Sequence, residues 1–245
     1  MKLEKAQRPA DWLNRIDRSA KVEGIVPAVF ESYLRILHKA HPAGTAAPGY
    51  NFSPEASWEA VATALGRRLS PGIRWAELSG AYGEPASVPG LGTVYPPEEG
   101  RLDGAGFRAL ARVLSKTTDG PVLAAFWTGW EPVVEDSESA RAIRQGDTVS
   151  IQGEQYVLYS LESRELADAR WMLTPAFGWA QGNGLTPNYL WPADGSWCLG
   201  TSIDLDSSVL GVPSAVLSEV EALPELETLH VTPFTDLSSS IPKPR

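Results

Sequence analysis

The chain has 245 residues, 43% hydrophobic and 21% charged, and its 30 acidic against 21 basic side chains leave a net charge of −9. That is an ordinary globular chain able to bury a substantial core, and its acidity argues against a phosphate backbone as the main partner, so no nucleic-acid binding is expected. MKLEK leads into no apolar h-region and no run approaches 18 apolar residues, so neither a signal peptide nor a membrane span is expected; Cys198, the only cysteine, rules out an internal disulfide and fits a reducing, cytoplasmic setting.

In chain order, residues 1–24 carry six Lys or Arg against four acids, while the remainder carries 15 against 26. Trp12, Leu13 and Ile16 share one helical face within 8–18, so 1–24 reads as an N-terminal docking segment. The i, i+3, i+4, i+7 spacing of Phe30, Tyr33, Leu34 and Leu37 predicts a helix over 27–40, opened by Pro27 and stopped by Pro42. A second helix runs from a Ser53 cap and Pro54 through Trp58, Val61, Ala62 and Leu65 to Gly66. A strand is expected at 73–78, and the five glycines and four prolines of 79–101 predict a long loop. Asp103 caps a helix that turns Phe107, Leu110, Ala111 and Leu114 inward. The unalternating VLAAFW of 122–127 reads as a strand buried on both faces. Residues 148–151 and 155–161 read as a hairpin through Gln152-Gly153-Glu154. A strand over 197–206, a helix over 213–223, a strand over 228–231 and a frayed tail over 232–245 complete the chain. Helices come early and strands late without regular alternation. The expectation is therefore one α+β domain over 25–231, a mostly antiparallel central sheet with helices packed on it.

Within 197–206, alternation puts Trp197, Leu199, Thr201, Ile203 and Leu205 on a core-facing side and Cys198, Gly200, Ser202, Asp204 and Asp206 on the other. Asp204 and Asp206 then stand about 7 Å apart, repelling by about 0.6 kcal/mol in water, and need solvent, donors or a cation. They are the candidate metal ligands, and a divalent metal is the only cofactor expected under that reading. Other motifs carry less. Gly104-Ala105-Gly106-Phe107-Arg108-Ala109 matches G-x-G-x-x-A, but PPEEGRLD before it is no buried strand. There is no Gly-Lys-Ser/Thr of a phosphate-binding loop and no G-x-S-x-G elbow. Ile203–Ser208 is similar to the opening motif of haloacid-dehalogenase-type phosphatases, but only 39 residues follow Asp206, too few for that fold. An EF-hand fails because Gly211 and Ala215 fall at positions 8 and 12. His38 and His41 lack a third metal ligand, and Cys198 reads as a small buried hydrophobe.

Nine tryptophans are the compositional anomaly. Trp171, Trp179, Trp191 and Trp197 cluster in a segment rich in Gly, Pro and Asn, and Trp127 and Trp130 adjoin the acidic run Glu131, Glu135, Asp136, Glu138. Rings on loops beside acids suit ligand stacking or protein hot spots. The candidate ligand-binding set is therefore Trp127, Trp130, Trp179, Trp191, Asp194, Trp197, Asp204 and Asp206, in a non-catalytic domain for a protein or small-molecule partner, away from membranes. The alternatives are a divalent-metal-dependent hydrolase or transferase at Asp204 and Asp206, and an immunity-type protein that blocks a toxin.

The run W-P-x-D-x-x-W-x-x-x-T-x-I-D-x-D-S-S-x-x-G from Trp191 to Gly211, with Phe30–His38 near the start, resembles a group of bacterial proteins without assigned activity. Val26-Pro27 to Tyr33-Leu34 is similar to the proline-led first helix of SMI1/KNR4-type (SUKH) domains. That resemblance implies an α+β fold and, commonly, toxin neutralisation.

Overall fold

Nine strands pair antiparallel into the main sheet of the computed structural model, which describes residues 1–4, 13, 16, 19–43, 55–130, 135–177 and 185–238. Across the sheet the order is β1 (Lys2–Leu3), β8 (Glu154–Glu162), β6 (Pro121–Trp127), β9 (Tyr189–Pro192), β10 (Cys198–Gly200), β11 (Ser207–Val212), β2 (Ser32–Leu37) and β12 (Glu227–Val231), with β7 (Val149–Ile151) also paired to β8. A second sheet has three short strands in the order β3 (His41–Pro42), β5 (Gly92–Tyr95), β4 (Ala86–Val88). The helices are α1 (Trp58–Ala64), α2 (Trp75–Ser79), α3 (Gly104–Leu114), α4 (Glu138–Gln145), α5 (Ser163–Leu166) and α6 (Ser214–Glu221). The α+β architecture is the one expected, and among the described residues no helix is long and apolar enough to cross a membrane.

Strand periodicity divides the core in two. Leu34, Ile36, Phe126, Tyr159 and Leu210 face one side of the sheet, where Phe107, Leu110 and Leu114 of α3 and Val216 and Val220 of α6 cover them. Tyr33, Trp191 and Val209 face the other, where the described cover is Leu13, Ile16, Val22, Ile25 and Val26 from the start and Leu237 from the end. A third cluster is built mainly from the stretch of chain between β2 and α3, where Trp58, Val61, Trp75, Leu78 and Val94 join α1 and α2 to the small sheet.

Several elements form as expected. Asp103 caps α3, its Oδ1 accepting from the Gly106 N–H at 2.7 Å. A Cβ at Gly106 would stand 2.8 Å from Leu226 Cδ2 and 3.0 Å from the capping Asp103 Oδ2, so the dinucleotide-like glycine lies in a packed helix start. The β6 strand, the β7–β8 hairpin, β12 and α6 all lie where their patterns put them.

Others are corrected. The stretch 27–40 is not a helix. Residues 32–37 are β2, a central strand between β11 and β12, and spacing of three and four arises because both faces of such a strand are buried. The 73–78 segment is largely α2 rather than a strand, and the 79–101 loop contains β4 and β5. The strand expected over 197–206 ends at Gly200; the chain turns, with Leu205 N–H donating to Ser202 O, and β11 begins at Ser207. Helix α1 is capped by Ser57, whose side chain accepts from the Ala60 N–H; Ser53 and Pro54 lie outside the described residues. So does most of the docking helix over 8–18, of which Leu13 and Ile16 are described and buried. Within the expected tail, residues 232–238 are tied to the start of the chain: Val22 N–H donates to Thr235 O, Glu23 N–H to Pro233 O, and Leu237 N–H to Ala20 O; 239–245 lie outside the described residues.

Candidate functional site

The turn after β10 delivers Asp206 to the head of β11, beside Arg35 at the middle of β2. Arg35 has no exposed side-chain surface and Asp206 has 4%. The Arg35 Nη2 donates to Asp206 Oδ1 at 3.0 Å, its Nε to Ser207 Oγ at 2.8 Å, and its Nη1 to the carbonyls of Pro71 and Ile73 at 3.1 and 2.6 Å. Asp206 Oδ2 accepts from Arg74 Nε at 2.9 Å and from the Trp75 N–H, the first of α2, at 2.8 Å. Arg74 also donates to Leu237 O and Asp204 O, and Glu99 lies 3.6 Å from its Nη2. The guanidinium of Arg35 stands 5.5 Å over the Trp58 ring. Burial pushes the Arg35 pKa down and the Asp206 charge opposes that shift. One carboxylate therefore ties the main sheet to α2 and, through Arg74, to the C-terminal segment. The two cations are balanced by Asp206 and Glu99, as buried charge requires.

A second chain of bonds runs beside it. His38 N–H donates to Asp206 O at 3.0 Å, extending the β2–β11 ladder by one pair. His38 Nδ1 is 2.8 Å from the Glu98 carbonyl and Nε2 is 2.9 Å from Ser208 Oγ, itself 2.7 Å from Thr201 Oγ1. A carbonyl can only accept, so Nδ1 carries the proton and Ser208 donates to Nε2. Burial holds the His38 pKa below its usual value. The Ser208–His38 arrangement has the form of a nucleophile and its base, yet Ser208, Thr201 and His38 are all buried, so the pair braces the sheet end. Both His38 nitrogens are taken, which leaves none for the metal geometry that its spacing from His41 offered.

The two aspartates do not form the common face expected of a strand. Asp204 is exposed on the turn, while both oxygens of Asp206 are occupied by arginines and a backbone N–H. The physical reason is turn chemistry at Ser202–Leu205, which breaks the alternation that pairs them. Among the described residues no three His, Cys, Asp or Glu side chains converge as metal ligands.

The pairing registers separate the remaining candidates. Trp127 ends β6; its N–H donates to Asn188 Oδ1 at 2.9 Å, and Trp130 Nε1 donates to the same oxygen at 3.3 Å. Asn188 Nδ2 donates to Gly100 O and Thr201 O, so this amide joins the Trp corner to the 201–206 turn. Gly100, at φ +80°, is required where it lies: a Cβ would be 2.9 Å from Ile203 O and from the Trp130 ring. Trp191, by contrast, pairs with Leu123, four residues or about 13 Å from Trp127 along β6. Asp194 and Trp197 follow in the turn beyond it, at the opposite end of the sheet.

Ring burial differs in the same way. Trp171, Trp191 and Trp197 are 6%, 0% and 1% exposed and belong to the framework. The indole N–H of Trp171 donates to Leu166 O at 3.2 Å and that of Trp197 to Thr118 Oγ1 at 2.8 Å. Asp194 is exposed but closes its own turn, accepting from the Ser196 N–H. Trp179 lies outside the described residues. Trp127 and Trp130 are half-buried and meet edge to face at 5.7 Å and 89°, with Trp127 Nε1 donating to the exposed Glu154 at 3.0 Å. Cys198 is buried and its thiol pKa is raised by burial, so it is inert.

Motif reading did not find Arg35, Arg74, His38, Ser208 or Asn188 as members of the network. The one available signal was Arg35 itself, a lone charge inside an apolar strand. Comparison with protein-family models, with curated proteins and with solved structures returned no match.

Proposed function

We propose that the chain is a non-catalytic binding domain for a partner protein, acting in the cytoplasm, and that it meets the partner with the Trp127–Trp130 corner. The observation that carries this reading is the state of those two rings. Their N–H groups are anchored on Glu154 and Asn188, so the indoles are held at a right angle while part of each ring faces solvent. Rigid, partly exposed tryptophans are the residue type that dominates protein hot spots. The exposed acids Glu135, Asp136 and Glu138 follow the corner in the chain and favour a basic partner surface; a toxin held by an immunity-type protein is one partner class of that kind.

Catalysis is disfavoured by what the reactive groups already do. Asp206 is bonded to two arginines, the Ser208–His38 pair is buried, and the Cys198 thiol is buried and protonated. A small-molecule pocket walled by Trp191, Trp197 and Asp194 is disfavoured because the two rings are sealed and the acid lies outside them. The test is a pull-down from the source cells with wild-type bait against Trp127→Ser and Trp130→Ser baits of matched melting temperature. The proposal expects a discrete protein retained by wild type and lost from both variants. Retention by the variants equal to wild type contradicts it.

A further inference from the structure

The geometry points to a second recognition surface, independent of the Trp corner: the outer edge of β12 accepts an extended, basic segment of a partner protein as an added strand. The two edges of the main sheet are treated differently. On the β8 side the edge is broken up by the two residues of β1 and the three of β7, and Glu4 N–H fills the interval by donating to Leu158 O. On the other side β12 runs five residues in unbroken register with β2, and although Glu227 is charged it contains no Pro, Lys or bulge. Those are the devices that natural edges use to refuse a further strand.

The ladder shows which groups are on offer. His38 N–H donates toward β11, to Asp206 O. Because backbone groups alternate sides along a strand, Ser32, Leu34 and Ile36 also address β11, and Tyr33, Arg35 and Leu37 address β12. Their partners are Val231, Leu229 and Glu227, so the N–H and C=O of Thr228 and His230 point outward. Among the described residues nothing bonds these four groups. They lie two residues apart, about 6.8 Å, which is the repeat of an incoming strand.

The two faces beside that edge differ in character. The side chains of Thr228 and His230 lie on the α6 side, where His230 Nε2 is 2.5 Å from Glu221 Oε1 and Glu219 is exposed with Lys116 at 3.9 Å. Glu225 follows on the same connection, and no Lys or Arg occurs anywhere between residues 171 and 242. On the other face Leu229 packs on the third cluster, and Glu227 is committed to α1, accepting from the N–H groups of Trp58 and Glu59, both at 2.7 Å. An added strand therefore meets the α6 carboxylates on one face and, on the other, Leu229 beside Glu227. A second copy of this chain paired through β12 would set Glu219, Glu221 and Glu225 of both copies against each other. A partner segment alternating Lys or Arg with apolar residues satisfies both faces, by strand addition.

The probe is a fluorescein-labelled ten-residue peptide alternating Lys and Val, followed by anisotropy, with an alternating Glu and Val peptide as control. The proposal expects saturable binding of the Lys peptide, at least ten-fold tighter than the control, with hydrogen exchange at the Thr228 and His230 amides slowed ten-fold or more. Thr228→Pro removes one outward N–H and leaves the bonds to β2 intact; binding is expected to weaken at least ten-fold, and Glu221→Lys is expected to do likewise. Trp127→Ser is expected to bind the peptide as wild type does, which keeps this surface distinct from the corner. The exchange measurement on wild type decides the matter if Thr228→Pro fails to fold. No binding, equal binding of the Glu peptide, unchanged exchange at 228 and 230, or a dimer of the unliganded chain that Thr228→Pro abolishes would overturn the proposal.

Discussion

Replacing Asp206 with Asn keeps the size of the side chain and removes the charge that Arg35 and Arg74 share. Arg74 can turn its guanidinium toward solvent and Glu99, but Arg35 cannot, since none of its side chain is exposed. It keeps Ser207 Oγ and the Pro71 and Ile73 carbonyls, and loses the one carboxylate that bonds it among the described residues. Removing one partner of a buried ion pair costs about 3 to 5 kcal/mol. For a domain of this size that is a fall in melting temperature of about 6 to 20 °C. The pairing can be isolated by a double-mutant cycle. Arg35→Met in the Asp206→Asn background removes the stranded charge, so the double variant is expected to be no less stable than Asp206→Asn alone, with a coupling energy of about 1 to 3 kcal/mol. Urea titration by circular dichroism measures all three variants. A loss below about 1 kcal/mol for Asp206→Asn, or strictly additive effects, would refute the assignment of Asp206 as the hub of the fold.

His38 gives a pH dependence with a defined sign. Its folded pKa lies below the unfolded value because burial disfavours the imidazolium, so below about pH 6.5 the unfolded chain binds a proton that the folded chain refuses. Stability is complete above the unfolded pKa and falls as pH drops, by up to about 1.4 kcal/mol per unit; urea midpoints between pH 7 and 5 should show that slope, and His38→Gln should flatten it. Gly100→Ala forces an alanine to φ +80° against Ile203 O and the Trp130 ring, and is expected to destabilise by about 1 to 3 kcal/mol. The same variant should perturb Trp130 fluorescence, and an unchanged melting temperature would contradict the packing described at that corner.

Local chemistry made parts of this fold legible. The Asp103 cap, the inward stripe Phe107–Leu114, the apolar run of β6 and the turn between β7 and β8 are decided within a few residues. β2 was not, because Phe30, Tyr33, Leu34 and Leu37 satisfy a helical period while a central strand with two buried faces shows no alternation of its own. What makes 32–37 a strand is its place between β11 and β12, some 170 to 200 residues later in the chain. The same distance hides the site. Arg35 and Asp206 are 171 residues apart, and Trp127 and Asn188 are 61 apart, so neither pairing has a signature in either segment. The Trp corner was visible as composition and survives as a candidate surface. Asp204 and Asp206 were grouped by an alternation that the chain abandons at Gly200.

The most direct measurement is a thermal melt of the wild-type protein with and without millimolar Mg²⁺, Mn²⁺ or Ca²⁺. If the acids at this end of the sheet serve the fold, Asp206 has no free oxygen to offer and the melting temperature stays where it is in chelator. A rise with any of the three ions that Asp204→Asn and Asp206→Asn abolish would contradict that assignment, because an ion that binds only the folded state must stabilise it.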